Sequence, residues 1–541
     1  MKYSIGIDYG TLSARALLVS LPDGNEVAVS EFKYPHGVMD RELPCGTPLG
    51  DNVALQHPQD YIDALCYTIS EIIKKGNVAP CDIVGIGIDF TACTMLPIDK
   101  NGTPLCFDDR FKSTPYAYAK LWKHHAASAE AELITKVAKD SGEKWLDTYG
   151  GKVSSEWLFP KILETYNKAP EVYESAANFV EAADWLTFFL TGKLVRSSCM
   201  AGYKGMWNKK DGFPSKDFLK KLDNNFGETV LNKLSGDVLP TGTCAGKVCE
   251  SAAALTGLSC NTTVSVPIID AHAALPAAGI VDDDKLMLII GTSTCHIVMS
   301  KKSKDVPGIC GRVDDGIIPG FVAYEAGQAC VGDSFDWFVK NCVPAKYEQD
   351  AGNMGVSIFE YLESRASVLK AGESKLLALD WWNGNRTPYA DYDLTGAIFG
   401  LTLQTKTEEI YRALIEATAY GTKRIVDLYR EYGVPIKKIY AAGGISQKND
   451  LLLQIYADVL GSEIIVPLNQ QSGALGCALF ASVSGGYYST IKEAAENILG
   501  ADEKIYKPDM NNHKIYQRLY AEFCKISEYF AKGSNDILKS L

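Results

Sequence analysis

Apolar residues recur in three short runs at the start of the chain, Ser4–Tyr9, Ala14–Ser20 and Glu26–Tyr34, with the turn-forming LPDGNE (Leu21–Glu26) between the second and third. Runs of this length with tight connections predict an antiparallel meander. Helical spacing follows at His57–Lys75, with Pro58 near its start, where a missing N–H does no harm. DIVGIGIDFTACTMLPID (Asp82–Asp99) then reads as a buried strand, a polar corner and a second strand. Asp108–Leu234 is mostly helix and loop, rich in Trp and Tyr.

Around Val266 the pattern starts again. VPIIDAHAALPAAGI (Val266–Ile280) predicts a strand running into a helix of small residues, and three more strand-like runs follow at Lys285–Ile290, Cys295–Ser300 and Ile317–Tyr324. A helix is predicted over Glu408–Tyr432, then a strand with a glycine corner in Lys437–Gly461, and helix over about Ser484–Leu541. Each half therefore reads strand, strand, strand, helix, strand. IGIDYGT pairs with LMLIIGT, and VGIGIDFTAC pairs with KIYAAGGIS. A repeat whose period is half the chain predicts a duplicated α/β architecture in two domains. The expected division is 1–282 and 283–541. No low-complexity linker separates the halves, so close packing around a cleft is expected.

Length supports this division, since 541 residues exceed what one compact core organises. Charge narrows the partners: a net charge of -12 disfavours nucleic acid and anionic membrane, which need a basic field. The 15 cysteines show no C-x-x-C and no metal-ligand spacing, so free thiols in a reducing cytoplasm are expected. No apolar run reaches the roughly 18 residues of a membrane span, and the first residues lead straight into a strand pattern without the features of a signal peptide.

The candidate chemistry sits at polar corners beside the apolar runs. Gly10–Thr11 and Gly291–Thr292 lie between paired strands, where glycine lets a ligand approach the backbone and the following N–H and hydroxyl groups can donate to phosphate. Two plain hairpins with small turn residues are the alternative. Asp8 precedes the first turn and has no twin, Ile289 standing at the matching place; an acid beside a phosphate turn suits a divalent cation held between them. Neither G-x-x-x-x-G-K-S/T nor G-x-G-x-x-G after a strand is present, and protein-kinase signatures are absent. Gly443 and Gly444 would let a base or ribose lie against the backbone with Asn449 in reach, unless they merely open a helix. Asp270, where a strand meets a helix, is either an N-cap or a general base for an attacking hydroxyl. Glu325 and Lys204 form either a structural ion pair or part of a polyol site. His272 reads as a packed histidine, and the histidines of KLWKHHAA (Lys120–Ala127) lack the partners a metal would need.

Taken together, DYGTLSAR, GIGIDFTACTMLPID, LWKHHAA, YGGKVSSEW, AGYKGMW, DAHAA, GTSTCH, DGIIPGFVAYEAGQ and ALIEATAYGT resemble the FGGY family of carbohydrate kinases along essentially the whole chain. The DFTACT corner resembles the branch that acts on L-ribulose. The resemblance implies two duplicated ribonuclease H-like domains of the actin/Hsp70/hexokinase type with mixed sheets and a catalytic cleft between them. It implies phosphorylation of L-ribulose at O5 by ATP with Mg²⁺, in L-arabinose catabolism. It implies Asp270 as the base; Ala92, Lys204, Asp270 and Glu325 as sugar contacts; Asp8 as holder of Mg²⁺ through water; Gly10, Thr11, Gly291 and Thr292 as phosphate contacts; and Gly443, Gly444 and Asn449 at the adenosine. The expected partners are the sugar and ATP, with a homodimer as the assembly. A kinase of D-ribulose or ribitol, or a non-enzymatic nucleotide switch, are the alternatives. Asp270, Glu325 and Lys204 together argue against the switch.

Overall fold

The computed structural model describes all residues except 469–470, 501, 534–535 and 541. The chain divides into two compact units, and the division interleaves. Met1–Asp282, Arg312–Ala323 and Asn469–Ala501 form the first, and Asp283–Gly311, Tyr324–Leu468 and Asp502–Leu541 the second. A cut at 282/283 therefore leaves two later segments on the wrong side.

In the first unit, β1 (Lys2–Tyr9), β2 (Ser13–Leu21) and β3 (Glu26–Lys33) form the expected antiparallel meander. The helix Pro58–Gly76 leads to β4 (Ile83–Phe90), which lies parallel to β1. His57 caps that helix, Pro58 takes its first turn, and Asn77 closes it in the left-handed conformation. β5 (Cys244–Lys247) and β6 (Thr263–Ser265) complete six strands in the order β5–β6–β4–β1–β2–β3, and β7 (Ile268–Ile269) runs parallel to the end of β4.

The helix Ser472–Ser484 belongs to this unit because its backbone lies directly on β1 and β4. A Cβ placed on Gly6, Gly85 or Gly87 would collide with the carbonyl oxygens of Ala474, Ala481 or Cys477. Glycines on alternate strand positions and small residues along the helix thus replace side-chain interdigitation by backbone contact. Close contact of this kind gains dispersion energy and leaves no space for a methyl group.

The second unit repeats the plan. β8 (Lys285–Ile290), β9 (Thr294–Ser300), β10 (Val322–Gln328), β11 (Lys438–Ala442), β12 (Ile464–Pro467) and β13 (Glu503–Tyr506) run in the order β10–β9–β8–β11–β12–β13. β11 is parallel to β8 as β4 is to β1, so the predicted pairing of VGIGIDFTAC with KIYAAGGIS reappears as equivalent sheet positions. The predicted strand Ile317–Tyr324 lies later, at β10, which places Glu325 within the strand rather than at its end. The C-terminal stretch contains β13 between the helices Ile491–Ile498 and Met510–Lys532, where uninterrupted helix was expected.

A small sheet in the first unit, in the order Leu55–Gln56, Ala119–Lys120, Met95–Ile98, Asn178–Glu181, carries the corner that follows β4. All 15 cysteines are free. Among the described residues, no helix is long and apolar enough to cross a membrane.

Candidate active site

Three parallel strands of the first unit end together: β1, β4 and β7. Ligands of α/β sheets collect at such carboxyl ends, where backbone groups and loop side chains are free of the ladder. Asp8 stands directly opposite Asp89, Ile268 is also in register with Asp89, and Asp270 follows two residues later. Three carboxyl groups thus converge on one sheet edge. Asp89 is fully buried, and burial pushes its carboxyl well above the ordinary range, reinforced by the charges of Asp8 and Asp270 and by a hydrogen bond with Asp8. Burial also raises Asp8, but its bond with Asp89 and the Arg15 charge pull it back. Both carboxyls are thus raised, Asp89 the more strongly of the two. Cys477 donates its thiol to Asp89 Oδ2 at 3.3 Å. Gly473, in the first turn of Ser472–Ser484, closes over the pair: a Cβ there would lie 2.9 Å from Asp89 Oδ2 and 3.0 Å from Asp8 Oδ2.

Asp270 opens the helix Asp270–Ala277, whose N-cap is Ile269. It is therefore not the capping residue. Its Oδ1 accepts the N–H of Ala271 at 2.7 Å, and the helix N-terminus favours the ionised carboxylate. His272 is packed, as expected: it is buried, its Nδ1 meets Cys199 Sγ at 3.1 Å, and its ring lies 4.5 Å from that of Tyr203. Cys199 and Tyr203 belong to the helix Ser198–Lys204, so this contact ties the helix that ends on Lys204 to the one that begins on Asp270.

Ala92 sits in the corner after β4, half-buried. Thr91 N–H donates to Tyr9 O at 3.3 Å, and the Thr91 and Thr94 hydroxyls bond each other at 2.9 Å. Cys93 turns the corner at a φ of 60°, uncommon for a residue with a side chain. Lys204 is within electrostatic reach of Cys93. The first Gly-Thr turn adjoins these groups through β1. Gly10 N–H closes it on Ser13 O at 3.0 Å, Gln56 Nε2 donates to Thr11 O at 2.7 Å, and Trp122 Nε1 donates to Thr11 Oγ1 at 3.1 Å.

In the second unit the matching turn is pinned from below. Gly291 N–H closes on Ser293 O at 2.8 Å, Val331 N–H donates to Thr292 O at 2.7 Å, and Gly332 N–H donates to Gly291 O at 3.0 Å. Thr292 is exposed. Gly443, at a φ of 100°, passes over the end of β8, where a Cβ would strike the Ile290 backbone; Gly444 is exposed with open space around it. Gly291, Thr292 and Gly443 are thus adjacent. Asn449 is spent on structure: its Oδ1 accepts Leu452 N–H at 2.8 Å as the N-cap of Asp450–Leu460, and its side chain also bonds the Tyr411 hydroxyl. Glu325 is buried within β10.

Asp89, Gly473 and Glu181 are not among the expected site residues. Glu181 ends the strand beside Met95, next to the Thr91–Thr94 corner, and neither of its buried carboxyl oxygens has a hydrogen-bond partner. Burial pushes it up to about 8 from an ordinary 4.5; the Lys161 charge opposes this, Asp184 adds to it, and Arg196 and Lys204 oppose it more weakly. Between those two values the folded chain keeps a proton that the unfolded chain has released, so this group's contribution to stability falls as pH rises through the window. Glu181→Gln removes the effect. The variant's melting temperature should gain on the wild type by about 1–3 °C more at pH 8 than at pH 5, a shift of roughly 1–2 kcal/mol. A difference independent of pH would contradict the assignment.

The chain has relatives along its whole length. Residues 3–276 match the N-terminal domain, and residues 286–485 the C-terminal domain, of the FGGY family of carbohydrate kinases. The ribulokinase of Geobacillus thermodenitrificans (strain NG80-2) is 50% identical over 545 residues, covering 100% of this chain and 96% of that one. The ribulokinase of Mycolicibacterium smegmatis is 43% identical over 544 residues, again covering 100% and 96%. Among solved structures, the xylulose kinase of Rhodospirillum rubrum superposes with a TM-score of 0.80 at 22% identity, over 97% of this chain and 98% of that one. The gluconate kinase of Lactobacillus acidophilus gives 0.80 at 21%, over 98% of both. Those structural likenesses carry the fold alone, a mixed α/β architecture. With both family domains matched in order along the chain, and full-length relatives well above 30% identity, this protein belongs to the FGGY family of carbohydrate kinases.

Proposed function

We propose that the protein transfers the terminal phosphoryl group of ATP to the 5-hydroxyl of L-ribulose, giving L-ribulose 5-phosphate, the phosphorylation step of L-arabinose catabolism. The observation that carries this reading is the convergence of Asp8, Asp89 and Asp270 on one sheet edge, in a chain whose full-length relatives include ribulokinases. Phosphoryl transfer asks a protein mainly for positioning, charge neutralisation and one proton acceptor. Asp270 is that acceptor: it stands at the rim of the edge and takes the hydroxyl proton as the oxygen attacks phosphorus. Ala92 and Lys204 in the first unit and Glu325 in the second fix the sugar. Sugar handling and the first phosphate turn fall in 1–282; nucleotide handling, together with Glu325, falls in 283–541.

ATP is held by its phosphates at Gly291, Thr292, Gly10 and Thr11, and by its adenosine at Gly443 and Gly444. Asn449 supports the adenosine corner as the cap of its helix. In this reading Mg²⁺ would arrive on the nucleotide's own phosphates, and Asp8, at the carboxyl end of β1 opposite Asp89, fits the role of receiving that ion through water.

The product tests the reading directly. Incubated with ATP, Mg²⁺ and L-ribulose, the purified protein should yield a ketopentose phosphate with phosphorus coupled to the C5 protons in the NMR spectrum. Phosphate at another carbon, or no sugar phosphate, would overturn it.

A further inference from the structure

Lys161 lies on the helix Leu158–Lys168 and is entirely buried. An ammonium offers three N–H donors. Here Nζ donates to Cys93 O at 2.6 Å, to Leu121 O at 2.8 Å and, at longer range, to Lys120 O at 3.4 Å. All three acceptors are main-chain carbonyls: Cys93 and Leu121 lie in loops, and Lys120 ends the strand Ala119–Lys120. A buried cation is far more expensive than a buried methyl group, so packing alone does not explain a lysine where methionine would fill the same space.

What those carbonyls have in common is their position. Cys93 makes the left-handed turn of the corner that presents Ala92. Leu121 immediately precedes Trp122, whose indole holds Thr11 Oγ1 in the first phosphate turn. One ammonium therefore joins the corner after β4 to the loop that braces the turn after β1. Its own helix is anchored in return. The buried Lys120 ammonium donates to Lys161 O at 2.9 Å, Glu164 Oε2 at 2.7 Å and Thr165 Oγ1 at 2.8 Å, and His124 Nε2 meets the same Glu164 oxygen at 2.9 Å. Lys161 cannot relax without moving a fully bonded network.

We propose that Lys161 is a positioning residue for the sugar: through the Cys93 carbonyl it sets where Ala92 stands, without touching substrate itself. This rests on the reading of Ala92 as a sugar contact. Without the ammonium, Cys93 O loses this bond, whereas Leu121 O still accepts the His124 N–H at 3.0 Å, so the loop that braces Thr11 stays held and the corner does not.

The test is steady-state kinetics of Lys161→Met and Lys161→Arg, with folding checked by thermal melting. Lys161→Met should raise the apparent KM for the sugar by about tenfold, while that for ATP stays within about twofold. Lys161→Arg, which keeps charge and donors, should fall between it and the wild type. A folded Lys161→Met with unchanged sugar KM, or one that weakens ATP equally, overturns the proposal. If Lys161→Met does not fold, Lys161→Arg is judged by the same split between sugar and ATP. If neither variant folds, the residue is structural and the proposal fails. Failure of the underlying reading is distinguishable, because the wild type itself would then show no turnover with sugar.

Discussion

Asp270→Asn is expected to fold, to bind sugar within a few-fold of the wild type, and to lose about 10³-fold in turnover, the middle of the range for removing a general base. The change is nearly isosteric. The carboxylate accepts a hydrogen bond from Ala271 N–H, which an amide oxygen can also accept. The helix Asp270–Ala277 is held by its buried face, from His272 to Ala277, and by the close approach of Gly476 to Ala273 O, so the substitution leaves its packing intact. What the amide cannot do is take a proton from the attacking hydroxyl. Steady-state turnover with saturating sugar and ATP, beside a melting curve, measures both halves of the expectation. Turnover within about tenfold of the wild type would remove Asp270 from the chemistry.

Gly87→Val is expected to have the largest effect on stability. Gly87 stands in β4, where a Cβ would collide with the carbonyl oxygen of Cys477 and approach Ser265 Oγ to 3.1 Å. A serine hydroxyl can rotate away, but a helix carbonyl cannot. The helix Ser472–Ser484 must lift off the sheet, and with it go the Cys477 bond to Asp89 and the Gly473 closure over Asp8 and Asp89. The loss should be about 3 kcal/mol or more, at the upper end of overpacking effects. For a unit of this size that corresponds to a fall in melting temperature of about 3–5 °C. Gly352→Ala is the matched control. Gly352 lies in the helix Ala345–Met354 with nothing near its missing Cβ, so that substitution should be neutral or mildly stabilising. A Gly87→Val variant as stable as Gly352→Ala would mean that the helix does not rest on the strand backbone.

The meander, the strand-corner-strand segment and both Gly-Thr turns were legible in the sequence because each is a local pattern: apolar runs of strand length broken by small polar residues. The duplication was legible for the same reason, since equivalent runs occupy equivalent sheet positions in the two units. Asp89 was within reach. IGIDY at Ile5–Tyr9 and IGIDF at Ile86–Phe90 are nearly the same five residues, and β1 and β4 pair with these positions in register. Comparing the first strand with its parallel neighbour, rather than with the other half of the chain, would have found the second acid.

Other features depend on distant contacts and leave no local trace. Ser472–Ser484 is apolar on every side, and nothing in such a segment says that it returns to the first unit; the glycines that receive it lie roughly 390 to 470 positions earlier and read as ordinary strand residues. Lys161 and Glu181 look like surface residues of helix and strand until folding buries both. Asn449 has a structural duty that its place after a glycine corner also allows: its side chain caps the helix Asp450–Leu460.

The central claim is that this kinase acts on a ketopentose of the L-ribulo configuration. Coupled release of ADP, measured with purified protein, ATP and Mg²⁺ over L-ribulose, D-ribulose, the two xyluloses and ribitol, tests it most directly. The account predicts sugar-dependent release, with kcat/KM for L-ribulose above that for either xylulose by at least about tenfold. No sugar raising ADP release above the sugar-free rate, or a xylulose preferred to L-ribulose, would contradict it.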